Sequence, residues 1–349
     1  MHFKAAKVGV LGGGAWGTAL AIHCARAGHH TTIWAMELEV VAAINGPDHT
    51  NGVFLPGHPC PSSLTATDDM AAVLSSSDVL LMVIPTQFVE GTMAKVAHLL
   101  RPEHILVSCA KGITMDTLET VNEVLRRVVP ASIAGRLAYL SGPSFAAEVA
   151  AGLPAAVTVA AENEGIAAQI QMLLSTPRFR CYRTTDVIGV EVGGALKNVL
   201  AIACGISDGL KFGNSARAAL ITRGLYELTK IAVAKGGNAL TCSGLAGVGD
   251  LVLTCTGDLS RNRTVGLRLG RGERLADITA SMKAVAEGVP TARAAFALAR
   301  KLGVECPVIE GIYRVVHEGA DPAEVVLSTM QRELKPEIEP EVMAAVHTL

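Results

Sequence analysis

Aromatic residues are scarce: two tryptophans, four tyrosines and seven phenylalanines make up 4% of the 349 residues. Packing must therefore rest on Ala, Val, Leu and Gly, and the 35 glycines outnumber any ordinary need for turns. A surplus of one charge is also missing. Thirty basic against thirty-two acidic side chains leave a net charge of −2, which argues against nucleic acid or an anionic membrane as the main partner. No uncharged apolar stretch approaches the ~20 residues of a membrane helix, so no membrane insertion is expected. No two of the eight cysteines stand at C-x-x-C spacing, which leaves out a zinc or thioredoxin-type motif. Scattered thiols suit a reducing compartment. Met1–Lys7 lacks the charged-then-apolar layout of a leader. A soluble cytoplasmic protein with no bound metal is expected.

What is present is apolar sequence, half of all residues, arranged in two textures. The length alone suggests two domains. In the first half, short β-branched runs (Lys7–Leu11, Thr31–Ala35, Val79–Ile84, Ile105–Cys109, Ala138–Ser141, Ala155–Ala160) alternate with helix-length segments (Trp16–Ala27, Phe88–Leu100, Thr117–Val129). That alternation predicts an α/β fold with a parallel sheet covered on both faces. Gly28 reads as the C-terminal cap of the first helix. Beyond about Thr185 the segments Val187–Gly209, Ser215–Gly236, Thr264–Leu269, Pro290–Leu302 and Pro307–Glu318 carry helical spacing only. Prolines 290 and 307 suit helix first turns. The expected division is a Rossmann-type dinucleotide-binding domain at 1–189 and an all-helical substrate domain at 190–349. No linker separates them, so the halves are expected to pack and leave a cleft for ligands.

Gly12-Gly13-Gly14-Ala15-Trp16-Gly17 contains G-x-G-x-x-G, a weak pattern alone. Here it follows a predicted strand and opens a helix, which is the context a dinucleotide site needs. Gly12 allows the tight turn, Gly14 lets backbone approach a pyrophosphate, and Gly17 lets helix and strand pack closely. The second strand should end at the residue that reads the adenine ribose, and it ends Ala35-Met36-Glu37. Met36 cannot meet a 2′-phosphate, whereas Glu37 accepts from ribose hydroxyls and repels phosphate. NAD is favoured over NADP, though an acid at 37 also suits a helix first turn.

Ligands of such folds bind beyond the carboxyl ends of the strands. Pro85 follows one such end and stiffens it. Lys111 follows another; a lone loop lysine is usually solvated, but this one is placed to meet a phosphate. Gly142, Pro143 and Ser144 follow a third. Lys197 lies in the apolar helix Gly193–Ala203, where an unpaired ammonium would cost several kcal/mol. Asp250, in an equally apolar glycine-rich run, is the available counter-charge, and the pair is either structural or an acid–base device. Ser260 resembles an N-cap with Arg261 and Asn262 in the following first turn. Arginine is disfavoured there by the helix dipole, unless an anion binds at the same end; an exposed basic loop is the alternative.

Six segments together resemble the NAD(P)-dependent glycerol-3-phosphate dehydrogenases, the bacterial form most closely. They are GGGAWGTALA at 12–21, AKGI at 110–113, GPSFAAEV at 142–149, GALKN at 194–198, GVGDLVLTCTGDLSRNR at 247–263 and AEGVPTA at 286–292. The resemblance implies interconversion of dihydroxyacetone phosphate and sn-glycerol 3-phosphate with NAD or NADP, supplying the glycerol phosphate of membrane lipids. It implies Lys197 as general acid/base, and Lys111, Gly142, Ser144, Asn198, Asp250, Ser260, Arg261 and Asn262 as substrate-binding residues. Ala15, Trp16, Lys111, Ala146, Arg261, Val285 and Glu287 fall where the family binds cofactor, beside Gly12, Gly14, Gly17 and Glu37 from the fingerprint. Thr254 matches a position supporting Lys197 and Asp250. Many bacterial members carry a basic residue where this chain has Met36. A dehydrogenase of hydroxy or sugar acids is the second reading, disfavoured by the phosphate-suited Ser260-Arg261-Asn262 turn. A silent NADH binder would have no reason to keep Lys197 with Asp250. A homodimer is compatible with the sequence, which does not fix the oligomeric state.

Overall fold

The computed structural model describes residues 5–282 and 285–337. They form two compact units: residues up to 110 with 121–187, and 111–120 with 188 onward.

The first unit is built on an eight-stranded sheet. Its strands are β1 (Lys7–Leu11), β2 (His30–Trp34), β3 (Thr65–Thr67), β4 (Val79–Met82), β5 (Ile105–Ser108), β6 (Leu137–Ser141), β7 (Ala155–Ala160) and β8 (Phe179–Thr184). Their order is β3-β2-β1-β4-β5-β6-β7-β8. The central strands are continuous apolar runs because both faces are covered: Val10, Leu11, Leu80, Leu81, Met82, Leu106 and Val107 are wholly buried. Each such side chain contributes about 1.5–3 kcal/mol. The order reverses direction between β1 and β4, so the turn after β1 opens at the switch point where dinucleotides bind.

The sheet is not wholly parallel as expected, since β6 pairs with β7 antiparallel. The physical reason lies in their connection. A parallel return needs a crossover of about a dozen residues or more, usually a full helix. The connection between β6 and β7 holds only the six-residue helix Ala146–Ala151, about 9 Å long, which is too short to run back along a five-residue strand of ~17 Å. β8 eluded the pattern reading because it exposes Arg180, Tyr182 and Arg183 while burying Phe179 and Cys181. Charged side chains of this kind protect an edge strand from further pairing. The helix expected from Thr117 begins only at Val121. Residues 111–120 instead form a loop closed by an Ile113–Thr120 bridge, with Leu118 at φ +59°. Gly28 caps the first helix at φ +89°.

The second unit is all-helical. Its centre is Val187–Gly209, packed among Gly213–Ala234, Asp250–Thr256, Arg261–Gly270, Gly288–Lys301 and Pro307–His317. Pro307 stands at the start of its helix as expected. Ile113 is wholly buried in this helical core and Leu118 packs against it, which ties the 111–120 loop to the second unit.

By length and composition Val187–Gly209 and the run Ala239–Thr256 could cross a membrane, although neither is free of charge: the first carries Glu191, Lys197 and Asp208 and the second Asp250. The first is 89% buried inside the protein, where the core takes the place of lipid. Its apolar character is that of a core helix.

Val187–Gly209 and Arg261–Gly270 cross in backbone contact. A Cβ on Gly205 would lie 2.1 Å from Arg263 O, and one on Gly266 would lie 2.1 Å from Ile202 O. Gly266→Ala should therefore force the helices apart and destabilise the unit by about 3 kcal/mol. Urea unfolding with an unchanged midpoint would contradict this account of the crossing.

Candidate active site

In the first unit, the chain leaves β1 through Gly12 at φ +134°, with a Cβ there only 2.5 Å from Val83 O. No L side chain fits that turn. Gly17 lies so close to Gly12 O that a Cβ would meet it at 1.9 Å, which seats the Ala15–Arg26 helix directly on the turn. At Gly14, by contrast, a Cβ would meet nothing within 4 Å. Its backbone borders open space at a helix N-terminus that has no side-chain cap and no acid in its first turn. The indole Nε1 of Trp16 is buried there with no hydrogen-bond partner among the described residues. An open backbone edge, free N–H groups and an unmatched donor fit the pyrophosphate of a dinucleotide.

Gly142, Ser144 and Ala146 belong to the same unit. Gly142 takes φ +138° against the Cα of Val157, and Ser144 Oγ donates to its carbonyl at 3.0 Å. Ala146 opens the short helix Ala146–Ala151. Two residues absent from the predicted site lie at this edge: the hydroxyls of Thr86 and Ser141, just past β4 and at the end of β6, are buried without a partner among the described residues. Thr86 stands beside Pro85, the residue that drew attention in the sequence. Glu37 is half-buried at the N-cap position of Leu38–Asn45, and Met36 is 73% exposed.

The second unit brings the charged residues together. Lys197 Nζ donates to Asp250 Oδ1 at 2.5 Å and to Thr254 Oγ1 at 3.1 Å. Lys111 Nζ donates to the other carboxylate oxygen, Oδ2, at 2.6 Å. Asp250 is 1% exposed, Lys197 10% and Lys111 14%. Close packing creates this meeting. A Cβ on Gly193 would lie 2.6 Å from Ala246 O, so the two chains touch there. Four residues further along each chain stand Lys197 and Asp250. The π turn Leu245–Gly249 delivers Asp250 to that position.

Burial pulls the Lys197 ammonium down to about 8, with Asp250 raising it and Lys111 lowering it. Burial pushes the Asp250 carboxyl up, but the two ammoniums outweigh that and hold it below its ordinary value. The site therefore holds a carboxylate that stays ionised and a lysine able to exchange its proton near neutral pH.

Around this group, Asn262 Nδ2 donates to Asn198 Oδ1, and Ser260 Oγ accepts from Arg263 N–H as the N-cap of Arg261–Gly270. Arg261 is exposed in the first turn of that helix. Val285 is exposed and Glu287 half-buried, at the start of Gly288–Lys301. Arg263 and Asp208 went unnoticed in the sequence. Arg263 pairs with Asp208 at 2.7 Å and with Asp258 at 2.9 Å, tying Arg261–Gly270 to the end of the Lys197 helix.

The NAD-dependent glycerol-3-phosphate dehydrogenase family is described by two sequence profiles, and both match. The N-terminal profile covers residues 7–167 and the C-terminal profile residues 186–327. This chain belongs to that family. A glycerol-3-phosphate dehydrogenase (NAD(P)+) of Geobacter sulfurreducens is 49% identical over 331 residues, 95% of this chain and 98% of the relative. One of Anaeromyxobacter dehalogenans is 49% identical, with 94% and 99% covered. A crystal structure of glycerol-3-phosphate dehydrogenase from Coxiella burnetii has a TM-score of 0.89 at 38% identity, covering 94% of this chain and 99% of that one. The two profiles together reach across both units of the fold.

Removing Asp250 should leave two buried ammoniums facing one another. Asp250→Asn is expected to cost about 3–5 kcal/mol of stability, whereas Lys197→Met, which leaves Lys111 on Asp250, should cost about 1 kcal/mol or less. Equal losses in urea denaturation would show that the carboxylate is not what holds the group.

Proposed function

We propose that this chain interconverts dihydroxyacetone phosphate and sn-glycerol 3-phosphate with NAD(H), and that Lys197 is the general acid/base. The observation that carries the reading is the buried Lys197–Asp250–Lys111 group, with Asn198 and the first turn of Arg261–Gly270 supplied by the same unit. Residues 1–189 would form the cofactor domain and 190–349 the substrate domain, with Lys111 joining the latter. Gly12, Gly14 and Gly17 with Ala15, Trp16, Ala146, Val285 and Glu287 would hold the dinucleotide, whose nicotinamide supplies or accepts the hydride.

In the reducing direction, negative charge grows on the ketone oxygen as its carbon becomes tetrahedral. The Lys197 ammonium stabilises that charge and gives its proton to the oxygen, leaving a neutral amine. Asp250 keeps Nζ aimed and favours its recharging from solvent. In the oxidising direction the neutral amine takes the hydroxyl proton. Ser260, Arg261 and Asn262, at a helix N-terminus, with Asn198 beside them, suit the phosphate, and Lys111, Gly142 and Ser144 would also bind the substrate. Binding the phosphate at a distance from the carbon that reacts holds the ketone in place and lowers the entropic part of the barrier.

The exposed methionine at 36 and the acid at 37 support NAD as the preferred cofactor. The expected setting is the cytoplasm, with glycerol phosphate passing to phospholipid synthesis and a homodimer as the assembly.

Two measurements test this. Initial rates at 340 nm with dihydroxyacetone phosphate should be faster with NADH than with NADPH at equal low concentration, and should collapse in Lys197→Ala. Equal rates with both cofactors would remove the argument from Met36 and Glu37; no oxidation of either would remove the reaction itself. The pH profile should differ between directions. Ketone reduction needs Lys197 charged and should fall above about pH 8, while alcohol oxidation needs it neutral and should rise through about pH 8. Profiles of the same shape in both directions would exclude Lys197 as the proton carrier.

A further inference from the structure

Beside Lys197, two side-chain amides form a chain with a fixed direction. The Gly288 N–H donates to Asn262 Oδ1 at 2.9 Å, and Asn262 Nδ2 donates to Asn198 Oδ1 at 2.9 Å. Both asparagines are buried, 8% and 6% exposed respectively. A carboxamide has one accepting end and one donating end. With its oxygen held by Gly288, Asn262 must present its NH2 group to Asn198. Asn198 must then answer with its oxygen, which turns its own NH2 group outward. That Nδ2 has no protein partner among the described residues. The chain starts at a backbone N–H and ends in an unmatched donor, one residue past Lys197.

Two features of Gly288 make it the origin of this direction. It is the first residue of Gly288–Lys301, so its N–H has no acceptor within the helix. It also lies closer to the asparagines than any other residue type could. A Cβ at 288 would fall 2.5 Å from Asn198 O and 2.8 Å from Asn262 Oδ1.

We infer that the Gly288 N–H is a positioning group for the substrate phosphate: it orients Asn262 and Asn198 so that donors, and no carbonyl oxygen, face the anion. This rests on the assignment of Asn198 and Asn262 to the phosphorylated substrate made above. A phosphate dianion offers acceptors only, so reversing either carboxamide would replace attraction with repulsion. A neutral hydroxyl, by comparison, would accept either orientation.

The test compares wild type, Gly288→Ala and Asn198→Asp, with folding checked by thermal melting. NADH oxidation is measured with dihydroxyacetone phosphate and with unphosphorylated dihydroxyacetone. The readout is the ratio of kcat/KM between the two ketones. Gly288→Ala lifts the helix start away and frees both amides. Asn198→Asp keeps an oxygen for Asn262 and puts another where the free NH2 group was, so it reports even if Gly288→Ala does not fold. The ratio should fall roughly tenfold or more in each folded variant, chiefly through KM for the phosphorylated ketone. Equal losses on both ketones, or a ratio left at the wild-type value, would overturn the inference while leaving the reaction intact. A wild type inactive on both ketones would overturn the reaction and this inference with it.

Discussion

Asp250 is a fully buried carboxylate that accepts from two ammoniums at once, one on each oxygen. Taken singly, each of the three charges is costly in so apolar a place. Together they permit each other's burial, and the geometry that follows is narrow. Lys197 must come from a helix packed in backbone contact with the Asp250 segment, and Lys111 must be brought in by a loop anchored in the same core. Gly193 makes the first possible, since a Cβ there would lie 2.6 Å from Ala246 O, and Gly247 permits the turn that leads to Asp250, where a Cβ would meet Cys242 O at 1.9 Å. Ile113 and Leu118 make the second possible. The shortage of aromatic side chains has the same logic. A core assembled from small residues brings backbones together, and close backbones hold short polar contacts in place.

The two units divide the chemistry. The first presents backbone: an open turn at Gly14, a helix N-terminus and unmatched donors suited to a diphosphate. The second presents side chains: an ionised acid, a buried lysine whose pKa is pulled down and a directional pair of amides. All of the charged group lies inside one unit, so its distances are fixed by a single packed core. This is the preorganisation that electrostatic stabilisation of a growing charge requires.

Much of this was legible in the sequence. The glycine turn, the first strands and the helical second half follow from periodicity and from the few places where glycine is obligatory. Lys197 and Asp250 stood out because charged residues in apolar runs demand a partner. Other features depended on contacts that no local pattern encodes. The antiparallel β6–β7 pair follows from a helix too short to cross the sheet, and β8 hid behind its exposed arginines. Lys111 was read as a residue at the sheet edge, yet its loop belongs to the helical core, since one buried isoleucine outweighs its position in the chain. Arg263 and Asp208 are paired across 55 residues and look like ordinary surface charges until the fold is known. The Asn198–Asn262–Gly288 chain joins three segments and needs a backbone N–H, which leaves no mark in composition or spacing.

The 111–120 loop also sets an order of events during synthesis. It leaves the ribosome well before the Val187–Gly209 helix and the Asp250 segment against which it packs. At about 5–20 residues per second, Ile113 and Lys111 stay without their partners for several seconds or longer. Over that interval the first unit, with strands on both sides of the loop, can gather β1 to β8 and hold the loop out as a closed excursion. The helical unit then folds around a segment that is already present, and the last helices to emerge complete a core whose first residue was made long before them.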